Sequence, residues 1–169
     1  MSNNSFLKLF SDDGYIINQD LLDDTILYKG HPARVNGCGY IAAYNLLHAN
    51  NIDIFHDDVR ISLNRVSTSS PWPTPTDVLY GYIKRYINNA EEVTDNASKI
   101  IDLVKKYNSG IFRYTEDGTP HYVAFVKTNG DNYRFFNVGD YFTDKEMPID
   151  KFIRNHMQFN EAIYCILCI

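Results

Sequence analysis

The sequence lacks the features that mark several large classes of protein. Only 3 of its 169 residues are cysteine, an odd and low number that argues against a disulfide framework and favours a reducing, cytoplasmic compartment. No apolar run approaches the roughly 18 residues that span a bilayer, and the N-terminal residues lack the apolar core of a signal peptide. Export by another route stays open. With 16 basic against 21 acidic residues, the net charge of −5 argues against a broad nucleic-acid interface.

Apolar and aromatic residues, by contrast, are plentiful. They make up 44% of the chain and include 13 Tyr and 10 Phe, a composition that argues against intrinsic disorder. A chain of this length buries roughly 70% of the surface that its unfolded form exposes, which is enough for one domain with its own core. We therefore expect a single domain over residues 1–169.

The hydrophobic pattern divides this domain into two halves, after an N-terminal arm or edge strands at 1–30. In the first half, 31–109, apolar residues recur at three- and four-residue spacing and predict helices at 38–50, 56–65, 76–87 and 96–107. In the second half, 110–169, β-branched and aromatic runs predict a helix at 150–156 and strands at 110–114, 121–127, 132–138 and 162–169. Helices followed by a mostly antiparallel sheet indicate the α+β class.

Cys38 is the first candidate for chemistry. It stands between two glycines at the predicted start of a helix. The partial positive charge at a helix N-terminus lowers the pKa of a thiol, and glycines on both sides leave room for a substrate backbone. The backbone N–H of Cys38 is then a donor for an oxyanion. The alternative interpretation is a small, buried and inert cysteine.

His121 and Asn137 are the candidates for a base and for the residue that orients it. A cysteine nucleophile needs a base, most often histidine, and a third group that holds the histidine. His121 opens a predicted strand, and Asn129-Gly130 predicts a hairpin that returns toward Asn137. A hairpin centred on Asn129 places His121 and Asn137 opposite each other, so the amide oxygen can accept from the imidazole. A one-residue slip of register would separate them.

These motifs together resemble the papain-like cysteine peptidases. The sequence carries Asn-Gly-Cys-Gly-Tyr-Ile-Ala-Ala-Tyr-Asn from Asn36, His-Tyr-Val-Ala-Phe-Val from His121 and Phe-Phe-Asn-Val-Gly-Asp from Phe135. It is most similar to the compact bacterial branch, typified by the bacteriocin-processing (double-glycine) peptidases, and the resemblance covers about residues 31–141. It implies a papain-like fold with Cys38 as nucleophile, His121 as general base and acid, and Asn137 as orienting residue. It implies no metal and no organic cofactor.

Two departures from the family pattern leave parts of the site open. The family carries a glutamine six residues before the cysteine, whose side chain completes the oxyanion hole, whereas this sequence has Pro32 there. Asn36 has the same amide chemistry and is our candidate oxyanion donor, with His31 and Arg34 as alternatives. Asp140 takes the place of the orienting residue if the hairpin carries a β-bulge.

Two further features have weaker functional interpretations. Trp72 lies in a proline-rich loop and is either one wall of a substrate cleft or an anchor that holds the loop on the core. Cys165 and Cys168 have the spacing of a redox or zinc site. They lie in a predicted strand, where residues three apart point to opposite faces, and this argues against a shared metal ion.

The resemblance implies a thiol hydrolase that cleaves a peptide or other amide bond through an acyl-enzyme on Cys38. We expect a peptide or protein substrate, and neither a nucleic acid nor a membrane as partner. Two alternatives stay open. The same three residues would serve acyl transfer to an amine, and the absent glutamine favours a catalytically weak binding or effector protein. The sequence predicts neither the oligomeric state nor whether residues 1–30 act as a pro-segment.

Overall fold

Most strands of the protein belong to one antiparallel sheet. The structure is a computed structural model that describes residues 8–66, 74–116, 118–139, 142–157 and 161–169. Its strands are β1 (Leu27–Tyr28), β2 (His31–Pro32), β3 (Glu91–Asp95), β4 (Ser109–Glu116), β5 (Thr119–Lys127), β6 (Asn132–Val138), β7 (Thr143–Pro148) and β8 (Ile163–Cys168). β1 and β2 form a small sheet of their own. The other six form one sheet in the order β3-β8-β4-β5-β6-β7, with every neighbouring pair antiparallel.

Helices flank this sheet on both sides. A short 3₁₀ helix spans Gln19–Leu21. The α-helices are α1 (Ala33–Asn36), α2 (Cys38–Ala49), α3 (His56–Arg65), α4 (Thr76–Lys84), α5 (Ala97–Val104) and α6 (Ile149–His156). Within the described ranges, every helix is too short or too polar to cross a membrane.

α2 is the central helix, and its sequence explains this position. Residues 38–47 are all buried, as expected of a helix that is apolar on every side. Ile111 and Tyr122 of the sheet belong to the core around α2, and so do Leu63 of α3 and Leu79 of α4. The start of α2 is therefore held between the sheet and two other helices.

The opposite face of the sheet carries a second core that is rich in aromatic rings. β5 lacks polar alternation over residues 121–125 because both of its faces are buried there. Phe112, Phe125 and Phe135 belong to this second core, and Phe152 of α6 stacks on Phe135 with ring centroids 3.8 Å apart. Ile100 of α5 packs into the same core. Both faces of the sheet are thus covered.

The α+β class and the antiparallel sheet are confirmed, and the predicted helix at 56–65 and strand at 132–138 coincide with α3 and β6. Three strands, β2, β3 and β7, and the short helix α1 were not predicted. β3 lies in the sequence half expected to be helical but joins the sheet, so the two halves are not separate in space. β3 and β7 are the two edges of the sheet, and their sequences are polar and charged, as is common in edge strands.

Residues 8–22 form a hook that packs on α2. Phe10 and Ile16 make an isolated antiparallel bridge, and Ile16 is fully buried. The buried side chain of Asn45 binds both backbone groups of Ile16, accepting from its N–H at 2.9 Å and donating to its carbonyl at 2.8 Å. One asparagine of the central helix therefore fixes the N-terminal segment to the core.

Replacing Asn45 with alanine tests this attachment. Asn45→Ala leaves a buried N–H and a buried carbonyl of Ile16 without their partners, so the free energy of unfolding should fall by about 2 to 4 kcal/mol. Urea denaturation followed by circular dichroism measures this change. The exposed Asn89 offers a control, since Asn89→Ala should change stability by less than about 0.5 kcal/mol. Equal losses in the two variants would contradict the assignment.

Candidate active site

Cys38 is the first residue of α2 and follows α1 after the single residue Gly37. The two glycines beside it have a structural explanation. A Cβ on Gly37 would overlap the carbonyl oxygen of Ala33, and a Cβ on Gly39 would overlap the side chain of Thr74. The room that we predicted for a substrate backbone is therefore filled by the protein itself, and the glycines serve the close packing around the cysteine.

Thr74, which packs against Gly39 next to Cys38, is held in place by two tyrosines. It is 1% exposed. Its hydroxyl lies 2.8 Å from the hydroxyl of Tyr28, and its carbonyl accepts a hydrogen bond of 2.6 Å from the hydroxyl of Tyr122. These bonds join β1, β5 and the residue before α4 into one buried polar cluster next to Gly39.

His121 lies at the edge of β5, where the ladder to β6 has ended. The last β5–β6 pair toward this end is Ala124 with Phe136. His121 Nε2 is 2.8 Å from the backbone carbonyl of Asn137, and because a carbonyl only accepts, Nε2 carries the proton. Since His121 also forms a side-chain hydrogen bond with Cys38, Nδ1 is the ring nitrogen left for that bond. The imidazole also meets the ring of Tyr114 edge-on, with centroids 5.8 Å apart.

Cys38 and His121 are brought together by this arrangement. Burial raises the pKa of the Cys38 thiol, but a hydrogen bond and charge from His121 lower it, and so do the backbone N–H groups of Tyr122 and Gly39. The net effect is a pKa below the ordinary value of a thiol. The side chains of both residues are nearly covered, with 5% of Cys38 and 8% of His121 exposed. The pair is therefore a shielded thiol in hydrogen-bond contact with an imidazole, the arrangement that a cysteine nucleophile and its base require.

Asn137 meets His121 through its backbone and not through its side chain. The observed register would place Asn137 opposite Val123, two residues away from the predicted pairing with His121. The contact arises because Asn137 has a φ of 59°, a left-handed conformation that asparagine tolerates better than most residues. The pairing of β6 with β7 is also irregular between Phe135 and Val138. The predicted bond from His121 to the amide oxygen of Asn137 is therefore replaced by a bond to the backbone carbonyl oxygen of the same residue.

The side chain of Asn137 is bound to Gln19, a residue to which sequence analysis gave no role. Asn137 Oδ1 accepts from the backbone N–H of Gln19 at 3.0 Å, and Asn137 Nδ2 donates to Gln19 Oε1 at 2.8 Å. Gln19 Nε2 donates in turn to the carbonyl of Arg34 in α1 at 2.9 Å. Gln19 therefore links β6, whose Asn137 carbonyl contacts His121, to α1, which precedes Cys38.

The structure gives no catalytic contact for the remaining predicted site residues that it describes. Asn36 is buried, and its Nδ2 donates to the carbonyl of Tyr28 at 2.8 Å, so at least one of its two N–H groups is committed to the fold. Its role as an oxyanion donor stays a prediction. Asp140 and Trp72 lie outside the described residues.

Cys165 and Cys168 lie in β8, where Cys165 belongs to the second core and Cys168 to the core around α2. They are on opposite faces of the sheet, as we expected for this spacing. Burial raises the pKa of each thiol to about 12. Both thiols are therefore protonated at neutral pH, and their pKa shifts are opposite in direction to that of Cys38.

Comparison of the sequence with models of known protein families finds no match, and comparison with curated proteins finds none either. The assignment of the site therefore depends on its own geometry. Among the described residues, no three His, Cys, Asp or Glu side chains lie together as a metal site would require.

The contrast between the three thiols predicts selective alkylation. At pH 7, iodoacetamide should modify Cys38 and leave Cys165 and Cys168 intact, because only the first has a lowered pKa. In His121→Ala the lowering contribution of the imidazole is lost and burial still opposes ionisation, so the rate at pH 7 should fall by about tenfold or more. Peptide mass mapping at several pH values measures this. Equal rates in both proteins would contradict the pairing, and labelling in urea supplies the control for all three thiols.

Removing the amide of Gln19 tests its part in holding the base. Gln19→Ala removes the side-chain bonds to Asn137 Nδ2 and to the carbonyl of Arg34 and keeps the backbone bond to Asn137 Oδ1. His121 should then be less well oriented, and the Cys38 alkylation profile should move to higher pH. The rate at pH 7 should fall severalfold, while unfolding in urea reports separately on stability. Asn89→Ala serves as the matched control. A profile that does not move, in a variant that is still folded, would show that Gln19 has no effect on the thiol.

Proposed function

We propose that the protein is a cysteine-dependent hydrolase with a papain-like fold, which cleaves a peptide or other amide bond through an acyl-enzyme on Cys38. The observation that most supports this is the contact between Cys38 and His121, which holds the pKa of a buried thiol below its ordinary value. A merely structural buried cysteine shows the opposite shift, as Cys165 does. The chain order of cysteine, histidine and asparagine also agrees with the family resemblance.

In the first half of the reaction, His121 takes the thiol proton at Nδ1 and the Cys38 sulfur attacks the carbonyl carbon of the substrate. The backbone N–H of Cys38, at the start of α2, is our candidate donor to the oxyanion. The carbon–nitrogen bond then breaks. His121 gives its proton to the leaving amine, and a thioester remains on Cys38.

In the second half, His121 acts again as a base. It takes a proton from water while the water oxygen attacks the thioester carbon, and the carbon–sulfur bond breaks. The released acid leaves, and the proton on His121 restores the starting pair. Throughout, the carbonyl of Asn137 holds Nε2–H, so that Nδ1 stays directed at the sulfur.

The setting of the site agrees with a reducing, cytoplasmic compartment. All three cysteines are free thiols, and Cys38 must stay reduced to act as a nucleophile. A peptide or protein is the substrate class that the resemblance implies. Neither a metal ion nor an organic cofactor takes part in the steps proposed for Cys38 and His121.

A generic acyl donor tests the proposal without knowledge of the natural substrate. With p-nitrophenyl acetate, we expect a rapid release of nitrophenol and an acetyl group on Cys38, detected by intact mass and peptide mapping. Cys38→Ala should abolish the acyl-enzyme, and the rate of any amide cleavage should fall by roughly a millionfold when the nucleophile is absent. Cys168→Ala is the matched control, since it removes a buried thiol that is protonated at neutral pH.

The fate of the acyl group separates the remaining functions. Turnover to acetate in water supports a hydrolase, whereas faster release on addition of an amine, with an amide as product, indicates acyl transfer. An acyl group that neither forms on Cys38 nor turns over would contradict catalysis and favour a binding or effector protein.

A further inference from the structure

Arg113 lies near the candidate active site without a part in the chemistry described above. On β4 it is paired with Tyr122 of β5 and with Tyr164 of β8. Residues that are paired across antiparallel strands project from the same face. Tyr122 belongs to the core around α2 together with Cys38, so the guanidinium of Arg113 is on the face of the nucleophile.

The guanidinium of Arg113 is not neutralised within the described part of the chain. Its Nε is buried and has no hydrogen-bond partner there, and no described carboxylate is close enough for an ion pair. Arg134, which is also partly buried, is by contrast paired with both Asp13 and Asp144. A partly buried arginine without a counter-ion is costly unless something else supplies the negative charge.

Arg113 lines a cleft. This cleft lies at the same end of the sheet as His121. Pairing of β4 with β8 stops at Arg113 and Tyr164. Beyond this pair, a cleft of about 90 Å³ is lined by Arg113, Tyr114, Thr115, Met157, Glu161 and Tyr164. Tyr114 is the cross-strand partner of His121 and touches its ring. Only the width of β4 therefore separates this cleft from the base.

The hydroxyl of Tyr122 connects the cleft with the nucleophile. Burial raises the pKa of Tyr122, the Arg113 guanidinium lowers it, and the Cys38 thiolate raises it further. One hydroxyl is thus within electrostatic reach of both groups. Its proton is donated to the carbonyl of Thr74, and its oxygen accepts a hydrogen bond from the Arg113 guanidinium. A neutral hydroxyl supplies no negative charge, so this bond does not replace the carboxylate that Arg113 lacks among the described residues.

We propose that Arg113 and this cleft form a subsite for a carboxylate of the substrate, next to the bond that Cys38 attacks; this inference rests on the proposed hydrolase function. A guanidinium binds a carboxylate through two parallel hydrogen bonds, and the size of the cleft suits a group of that kind. The hydroxyl of Thr115 adds a polar group to the lining. The substrate class is therefore an acidic peptide, with Asp, Glu or a terminal carboxylate close to the cleaved bond.

Glu161 weakens the expected preference of the cleft for acidic substrates. It is exposed, lines the same cleft and forms no ion pair with Arg113. Its negative charge opposes an incoming carboxylate. We therefore expect Glu161→Gln to strengthen the preference for acidic substrates by a few fold, the opposite of the effect of removing Arg113.

The experiment compares peptide vinyl sulfones that differ only in Glu against Gln, at each of the positions next to the reactive group. In the wild-type protein, the Glu probe at one position should label Cys38 about 10- to 100-fold faster than its Gln partner. Arg113→Gln should bring this Glu-to-Gln ratio close to one, and the ratio within each variant is the readout because it cancels any general change in the reactivity of Cys38. Arg113→Lys keeps the charge without the paired geometry and should give an intermediate ratio. Arg65→Gln, at an exposed position on α3, is the control.

The outcomes separate the subsite from the enzyme. Equal labelling by the Glu and Gln probes at every position, with Cys38 still reactive, would overturn the subsite alone. Failure of all probes to label Cys38 would overturn the hydrolase and the subsite with it. If Arg113→Gln does not fold, the ratios in Arg113→Lys and Glu161→Gln decide, since opposite shifts support the subsite and unchanged ratios contradict it.

Discussion

The burial of a thiol together with an imidazole is the constraint on which the rest of the site depends. Burial by itself raises the pKa of Cys38 and would leave an inert thiol. His121 and two backbone N–H groups outweigh it, but only if they stand at fixed positions around the sulfur. A buried charged pair without such support is strongly destabilising. The elements near Cys38 are therefore arranged to supply hydrogen-bond donors to one atom.

The edge of β5 supplies two of these groups, the imidazole of His121 and the backbone N–H of Tyr122. Both are available because β6 pairs with β5 only as far as Ala124. In a continuous ladder, the edge of β5 near Tyr122 would be occupied by β6, and its N–H would not reach the sulfur of Cys38. The ladder stops at the pair Ala124 and Phe136, and the left-handed φ of Asn137 turns the chain. This conformation costs about 1 to 3 kcal/mol for a residue other than glycine. The bonds between Asn137 and Gln19 offset part of that cost.

Sequence reasoning succeeded where the signal was local. The helix start at Cys38 and the strands β5 and β6 follow from short apolar patterns. These elements carry Cys38, His121 and Asn137, the residue whose carbonyl contacts His121. The pairing of Gln19 with Asn137 spans 118 positions and has no local signal. The edge strands β3 and β7 lack apolar alternation, so nothing in their composition separates them from loops. The exact register also depended on a turn longer than two residues, which a dipeptide motif does not specify.

The choice of a backbone carbonyl as partner of His121 has a chemical consequence. A carboxylate in that place would add a full negative charge, stabilise the imidazolium and raise the basicity of the ring. The carbonyl of Asn137 is a neutral acceptor, so it fixes the tautomer and the direction of Nδ1 while changing basicity less. No side-chain replacement at position 137 removes this acceptor. Position 137 therefore needs a residue that tolerates a left-handed backbone and whose side-chain amide can bind Gln19. Among the uncharged residues, asparagine alone combines these two properties.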